Sequence, residues 1–139
     1  LASPHGGVLA PFSFTAPDGS KKDYVPAAKV NIIEFGDPGC DNCRKSKILL
    51  EVNFELRDLI EKGDVSMTFV NLEDSDLPAS ELFSSYPESW TVGSNTDIVE
   101  QIDIRDYPSF YVLDSKGTIL GKNLNVQQAI MLTLAKIAE

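Results

Sequence analysis

The stretch FGDPGCDNCRKSK, residues 35–47, decides how this chain is read. It holds both cysteines of the 139-residue sequence, Cys40 and Cys43, with two residues between them. It also joins two hydrophobic patterns of different period. Before it runs VNIIEF (30–35), a mostly apolar run of the kind that forms a strand buried on both faces. After it, Leu49, Val52, Leu56, Leu59 and Ile60 recur at spacings of three and four, which predicts a helix. Gly63 offers that helix a left-handed C-cap.

Outward from this junction the chain alternates. Residues 1–28 are rich in Gly, Pro, Ala and Ser and read as an extended leader. Within it, the turn PDGS (17–20) joins two short strands around FSFT and KKDY. VSMTFV (65–70) predicts a second core strand, ASELFSSY (79–86) a weak helix and TDIVEQI (96–102) another short one. SFYVLD (109–114), the turn DSKG and TILG (118–121) read as a hairpin. NVQQAIMLTLAKIAE (125–139) predicts a closing helix with Asn125 as N-cap. Residues 71–95 are punctuated by DSDLP and YPES and read as an irregular elaboration. The order is hairpin–β–α–β–α–α–β–β–α. Strands alternating with helices predict an α/β fold with a parallel core sheet and an antiparallel edge. No repeat interrupts residues 1–139, which read as a single domain.

With 42% hydrophobic and 24% charged residues, the chain is globular rather than disordered. Its formal charge of −9 speaks against a nucleic-acid partner, which would require a basic stripe. The apolar tail AIMLTLAKIA (129–138) is too short to span a bilayer. The sequence begins at Leu1 without a methionine, so removal of an N-terminal targeting segment is an open expectation.

The cysteine pair has three readings. A zinc site needs four ligands, and beyond the pair the chain offers one remote histidine, His5, leaving carboxylates to fill in. A structural disulfide across two residues closes a tiny loop, worth roughly 2 kcal/mol against about 3 for a fifteen-residue loop. Thiol–disulfide exchange needs a thiolate, a second cysteine within reach, and a setting that tunes the first. A pair at a helix start meets all three needs. Cys40 falls where backbone N–H groups and the helix dipole favour negative charge, and Cys43 falls one turn in. Placement directly after a buried strand favours exchange.

Two further residues bear on this. By period-two alternation Glu34 shares a strand face with Val30 and Ile32. Its carboxyl is either partly buried, with raised proton affinity, or solvated at a strand end. If buried, it could shuttle the proton of Cys43. Pro108, in RDYPSFYVLD, is a proline opening a strand. Spacing alone does not assign its isomer. Trp90 reads as packing under a loop, and His5 is given no role.

FGDPGCDNC after an apolar strand, with Tyr107-Pro108 opening another strand 65 positions beyond Cys43, resembles the thioredoxin superfamily. DIRDYPSFYVLDSKGTILG and the leader segment TAPDGSKKDY are similar to TlpA/ResA-type extracytoplasmic members, on the pattern of Bacteroides proteins. The resemblance covers most of the chain. It implies a thioredoxin-like three-layer sandwich, a central mixed sheet flanked by helices. It implies Cys40 as nucleophile, Cys43 as resolving cysteine, Pro108 as a cis-proline against the pair, and Tyr107 presenting its backbone to an extended substrate. Glu34 falls at the family's buried acidic position. No cofactor is implied beyond a redox-active Cys40–Cys43 disulfide, and no metal. The partners implied are a disulfide-containing client protein and an external thiol reductant. The location implied is periplasmic, with a lipid-anchoring segment removed from the N-terminus.

The chain departs from the family pattern at several points. Gly39 stands where thioredoxin has a tryptophan, and Asp41-Asn42 separate the cysteines. Asp37 and Asp41 oppose a thiolate at Cys40, whereas Arg44 and Lys45 favour one. Lys47 reads as a solvated surface charge. Rival readings are a redox-inactive binding module recognising its partner through residues 71–95, a disulfide oxidase or isomerase, and a maturation factor for one client.

Overall fold

The computed structural model describes residues 7–139. A strand over Val30–Gly36 (β3) is buried along its whole length, as its apolar run requires. It pairs in parallel with β4 (Val65–Asn71) and antiparallel with β6 (Ser109–Asp114). The predicted leader hairpin forms as β1 (Ser13–Thr15) and β2 (Lys21–Asp23), and the late hairpin as β6 and β7 (Ile119–Leu124). The seven strands run β2-β1-β5-β4-β3-β6-β7, where β5 is Thr91–Ser94. This is a mixed α/β sheet with the two cysteines just beyond the C-terminal end of β3.

One sheet face holds Val30, Ile32, Met67, Phe110 and Val112. It is covered by α1 (Asp41–Val52), α2 (Phe54–Lys62) and α4 (Val126–Ile137). The other face holds Ile33, Phe35, Val70, Tyr111 and Leu113. Its cover is thinner: Leu9, Phe12 and Tyr24 of the leader, with Ile98 and Ile102 beside a 3-10 turn at Ile98–Glu100. Asn31 is buried on this second side and is fully engaged. Its Oδ1 accepts from the Ala28 amide, and its Nδ2 donates to the Ala28 and Asp114 carbonyls.

The structure corrects several expected elements. The helix expected from Cys40 to Gly63 is two. Asn53, with φ −80° and ψ 101°, breaks the first and caps the second by accepting from the Leu56 amide. The break resets the helical phase. Leu56 and Ile60 are buried, whereas Leu49 and Val52 of the same expected stripe are exposed. ASELFSSY forms only one turn, α3 (Ala79–Leu82), and TDIVEQI only the 3-10 turn. The irregular stretch 71–95 contains β5. Gly93 of that strand meets Phe14 and the Thr15 carbonyl, the latter 2.6 Å from where a Cβ would stand.

β2 is exposed along its length and carries Lys21, Lys22 and Asp23 at one sheet edge. At the other edge β7 pairs with shifts in register, and its Asn123 adopts a left-handed φ of 52°.

Candidate active site

After Gly36 the chain turns sharply through Asp37, Pro38 and Gly39. The Cys40 amide donates to the Asp37 carbonyl at 3.0 Å, and the Gly39 amide donates to the Asp37 carboxylate at 2.9 Å. Cys40 is the N-cap of α1, with an extended backbone (φ −78°, ψ 132°). Its sulfur accepts from the Cys43 amide at 3.3 Å, taking the part usually played by a Ser or Asp oxygen. That contact aims the open end of the helix at Sγ. Both cysteines are free thiols; Cys40 is half-buried and Cys43 is 2% exposed.

Cys43 packs onto the end of β3. A Cβ placed on Gly36 would stand 2.8 Å from its sulfur, 3.5 Å from the Phe69 ring and 3.7 Å from the Pro108 ring. Glycine is what lets α1 approach the strand this closely. Burial pushes the Cys43 thiol up; Cys40 and the carboxyl of Glu34 push the same way, against a lowering hydrogen bond from the Asp37 backbone.

The Tyr107–Pro108 peptide is cis. The Tyr107 carbonyl oxygen lies 4.0 Å from the Cys40 sulfur. The Tyr107 phenol donates to Glu73 Oε1 at 2.8 Å, tying this turn to the loop after β4. Cys40, Cys43, Tyr107 and Pro108, far apart in sequence, therefore meet at one point.

Glu34 lies in the core rather than at a solvated strand end. It is 1% exposed, and both carboxyl oxygens are buried without a hydrogen-bond partner among the described residues. Its neighbours across the sheet are Phe69 on β4 and Phe110 on β6. Stripped of water between two phenylalanines, the carboxyl is pushed up from 4.5 to about 8; Lys47 pulls in the other direction. Glu34 and Gly36 face the same way on β3, so the carboxyl lies on the side that Cys43 covers.

Three of the four charged groups expected to act on Cys40 have partners within the loop. Arg44 bonds the Asp41 carboxylate and donates to the Gly39 carbonyl at 2.8 Å. The Asp37 carboxylate is occupied by the Gly39 amide. Lys47 departs from expectation. Its side chain is only 14% exposed, and its ammonium lies 2.9 Å from Glu51 Oε2 and 5.4 Å from the centre of the Tyr86 ring. A lysine so placed had a sequence signal: it follows Cys43 by four residues, on the same helix face. Trp90 packs in the core against Tyr86. His5 lies outside the described residues.

Among the described residues no His, Cys, Asp and Glu side chains cluster as a metal site would need. No helix among them is long and apolar enough to cross a membrane.

No protein-family model matches the chain, and no curated protein is significantly similar to it. Solved structures are similar. A conserved protein of unknown function from Bacteroides fragilis is 25% identical over 94% of this chain and 99% of its own, with a TM-score of 0.87. A thioredoxin-like protein from Bacteroides caccae is 18% identical with a TM-score of 0.83; this chain, matched over 96% of its length, spans 50% of that one. The thioredoxin domain of a thiol-disulfide oxidoreductase from Bacteroides vulgatus is 18% identical, with a TM-score of 0.78, over 99% of this chain and 100% of its own. The chain thus has a thioredoxin-like fold, and its structural neighbours, mostly from Bacteroides, include proteins named as thioredoxin-like and as thiol-disulfide oxidoreductases.

Proposed function

We propose that the protein is a thiol–disulfide oxidoreductase that reduces disulfides of extracytoplasmic client proteins. The observation that carries this reading is the Cys40 sulfur capping α1 beside the Tyr107 carbonyl, with Cys43 enclosed one turn behind it.

The Cys40 thiolate attacks one sulfur of a client disulfide. A Cys40–client bond forms, and the client's other sulfur leaves as a thiolate and takes up a proton. Cys43 then gives its proton to the Glu34 carboxylate and attacks Cys40. The Cys40–Cys43 disulfide forms, the mixed disulfide breaks, and the second client thiol departs with a proton. Two electrons pass from the cysteine pair to the client, and an external thiol returns them. The chemistry calls for no bound cofactor. An elevated Cys43 thiol needs a base nearby, and a carboxyl poised near neutral pH suits that task. The groove beside the pair, lined by Asn42, Lys45, Leu49, Pro108 and Val126, offers an extended client segment a place to lie along Tyr107.

Insulin reduction by dithiothreitol tests the reading. Acceleration by the intact protein, lost in Cys40→Ser, is the expected result; no acceleration overturns it. Cys43→Ala should hold a client as a stable mixed disulfide. Direction is read from the potential of the couple: a value near thioredoxin's, about −270 mV, fits a reductant, and one near −120 mV would assign an oxidant.

A further inference from the structure

The core-facing stripe of α1 contains Cys43, Ser46 and Leu50, all buried. Lys47 lies in that stripe, four residues after Cys43 and three before Leu50. The helix runs back along β3: Cys43 sits over Gly36, whereas Leu50 packs in the cluster that holds Ile32 and Val30. From Cys43 to Lys47 the helix advances about 6 Å. From Gly36 back to Glu34 the strand covers about 6.6 Å. Lys47 therefore stands over Glu34 as Cys43 stands over Gly36.

Two contacts hold it there, and a third ties them to the core. Its ammonium bonds Glu51 on the more exposed side. Tyr86 lies beneath it, at cation–π distance. Tyr86 in turn stacks on Phe69, with ring centres 4.9 Å apart, and Phe69 is the β4 neighbour of Glu34. The ammonium is thus anchored above the wall of the compartment that encloses the carboxyl. Phe69 and Phe110 bring no charge from β4 or β6. From α1 the ionisable groups are Cys43, Lys47 and, beyond it, Glu51; from the loop before β5 it is Tyr86. The cation of α4, Lys136, pairs with Glu139 at the other end of that helix.

We propose that Lys47 is a positioning residue: its ammonium supports the Glu34 carboxylate whenever that group is ionised, and so governs how readily Glu34 takes the proton of Cys43. The direction in which Lys47 acts on Glu34 agrees with this placement. The role in turnover rests on the exchange chemistry proposed above; the coupling between Lys47 and Glu34 does not.

The test uses the reduced protein, Lys47→Met, Lys47→Arg and Glu34→Gln. Infrared difference titration follows the Glu34 carboxylate band, assigned by its loss in Glu34→Gln. Lys47→Met should move the midpoint up by about one pH unit or more, and Lys47→Arg should restore it. The rate at which Cys43 resolves a preformed Cys40 mixed disulfide should fall about tenfold at pH 7 in Lys47→Met and recover as pH rises. A midpoint unmoved in Lys47→Met overturns the proposal. A midpoint that moves while the pH profile of resolution stays put overturns the positioning role. A protein that exchanges no disulfide at all defeats the proposed function, yet the carboxylate titration still decides the coupling.

Discussion

Cys43 and Gly36 are fitted to one another: the cysteine sulfur occupies space that a side chain at position 36 would enter, 2.8 Å from its Cβ. Gly36→Ala must push the sulfur or the start of α1 outward. A core overpacked in this way loses about 1–3 kcal/mol. Chemical denaturation of the reduced protein should show that loss. Resolution of a Cys40 mixed disulfide should slow, because the displaced sulfur is the attacking one. Unchanged stability together with an unchanged resolution rate would mean that the contact relaxes freely.

Glu34 predicts how stability changes with pH. Its carboxyl is raised in the folded protein from 4.5 to about 8, so between those values the folded chain holds a proton that the unfolded chain has released. Stability should therefore fall as pH rises across that window, by at most about 1.4 kcal/mol per pH unit from this one group. Above about pH 8 the contribution should level off. Glu34→Gln should remove the slope. Urea midpoints from pH 5 to 9 on both proteins check this, and parallel curves would show that the carboxyl is not held protonated.

The closing helix makes a separate prediction. Asn125 caps α4 by accepting from the Gln128 amide, while the Gln128 side chain accepts from the Asn125 amide. Asn125→Ala should cost about 0.5–2 kcal/mol, with Gln128→Ala smaller. Thermal or urea unfolding measures both. Equal and negligible effects would show that water replaces the cap without loss.

Charge around the cysteines predicts a preference among small disulfides. β3, β4 and β5 are parallel, and β6 begins beside the end of β3. Their connecting loops therefore bring Asp37, Glu73, Asp74, Asp76, Asp103 and Asp106 to the same end of the sheet. Cystamine, a cation, should react faster than anionic glutathione disulfide at about 0.01 M salt. The gap should shrink at about 1 M, where screening acts within about 3 Å. A ratio insensitive to salt would show that the local field does not reach Cys40.

Much of this architecture was legible because long apolar runs have few places to go. VNIIEF and VSMTFV are too hydrophobic for a surface, and each forms a strand within a residue of its sequence limits. The strand-to-helix placement of the cysteine pair followed directly. Less legible was what depends on a single local competition. At Asn53 a side-chain cap outweighs continued helix, and nothing in the periodicity of Leu49, Val52 and Leu56 announces the change of phase. β5 has four residues, one of them Gly93, and owes its pairing to neighbours distant in sequence. Lys47 was misread because a lysine ordinarily stretches into water; here Glu51 and Tyr86 hold it against the core. Even the burial of Glu34, open from alternation alone, required knowing that phenylalanines flank it on both sides.

The two borders of the sheet carry a consequence for handling the protein at high concentration. An unpaired strand invites another chain to extend it, the first step of many aggregates. Here β2 presents Lys21 and Lys22 along its outer border, and β7 is bent out of regular register, with Asn123 in a left-handed turn of the backbone. A chain approaching from either side meets desolvation of lysines or a ladder that does not match its own. The central strands, apolar enough to seed fibrils, are thereby shielded at both flanks.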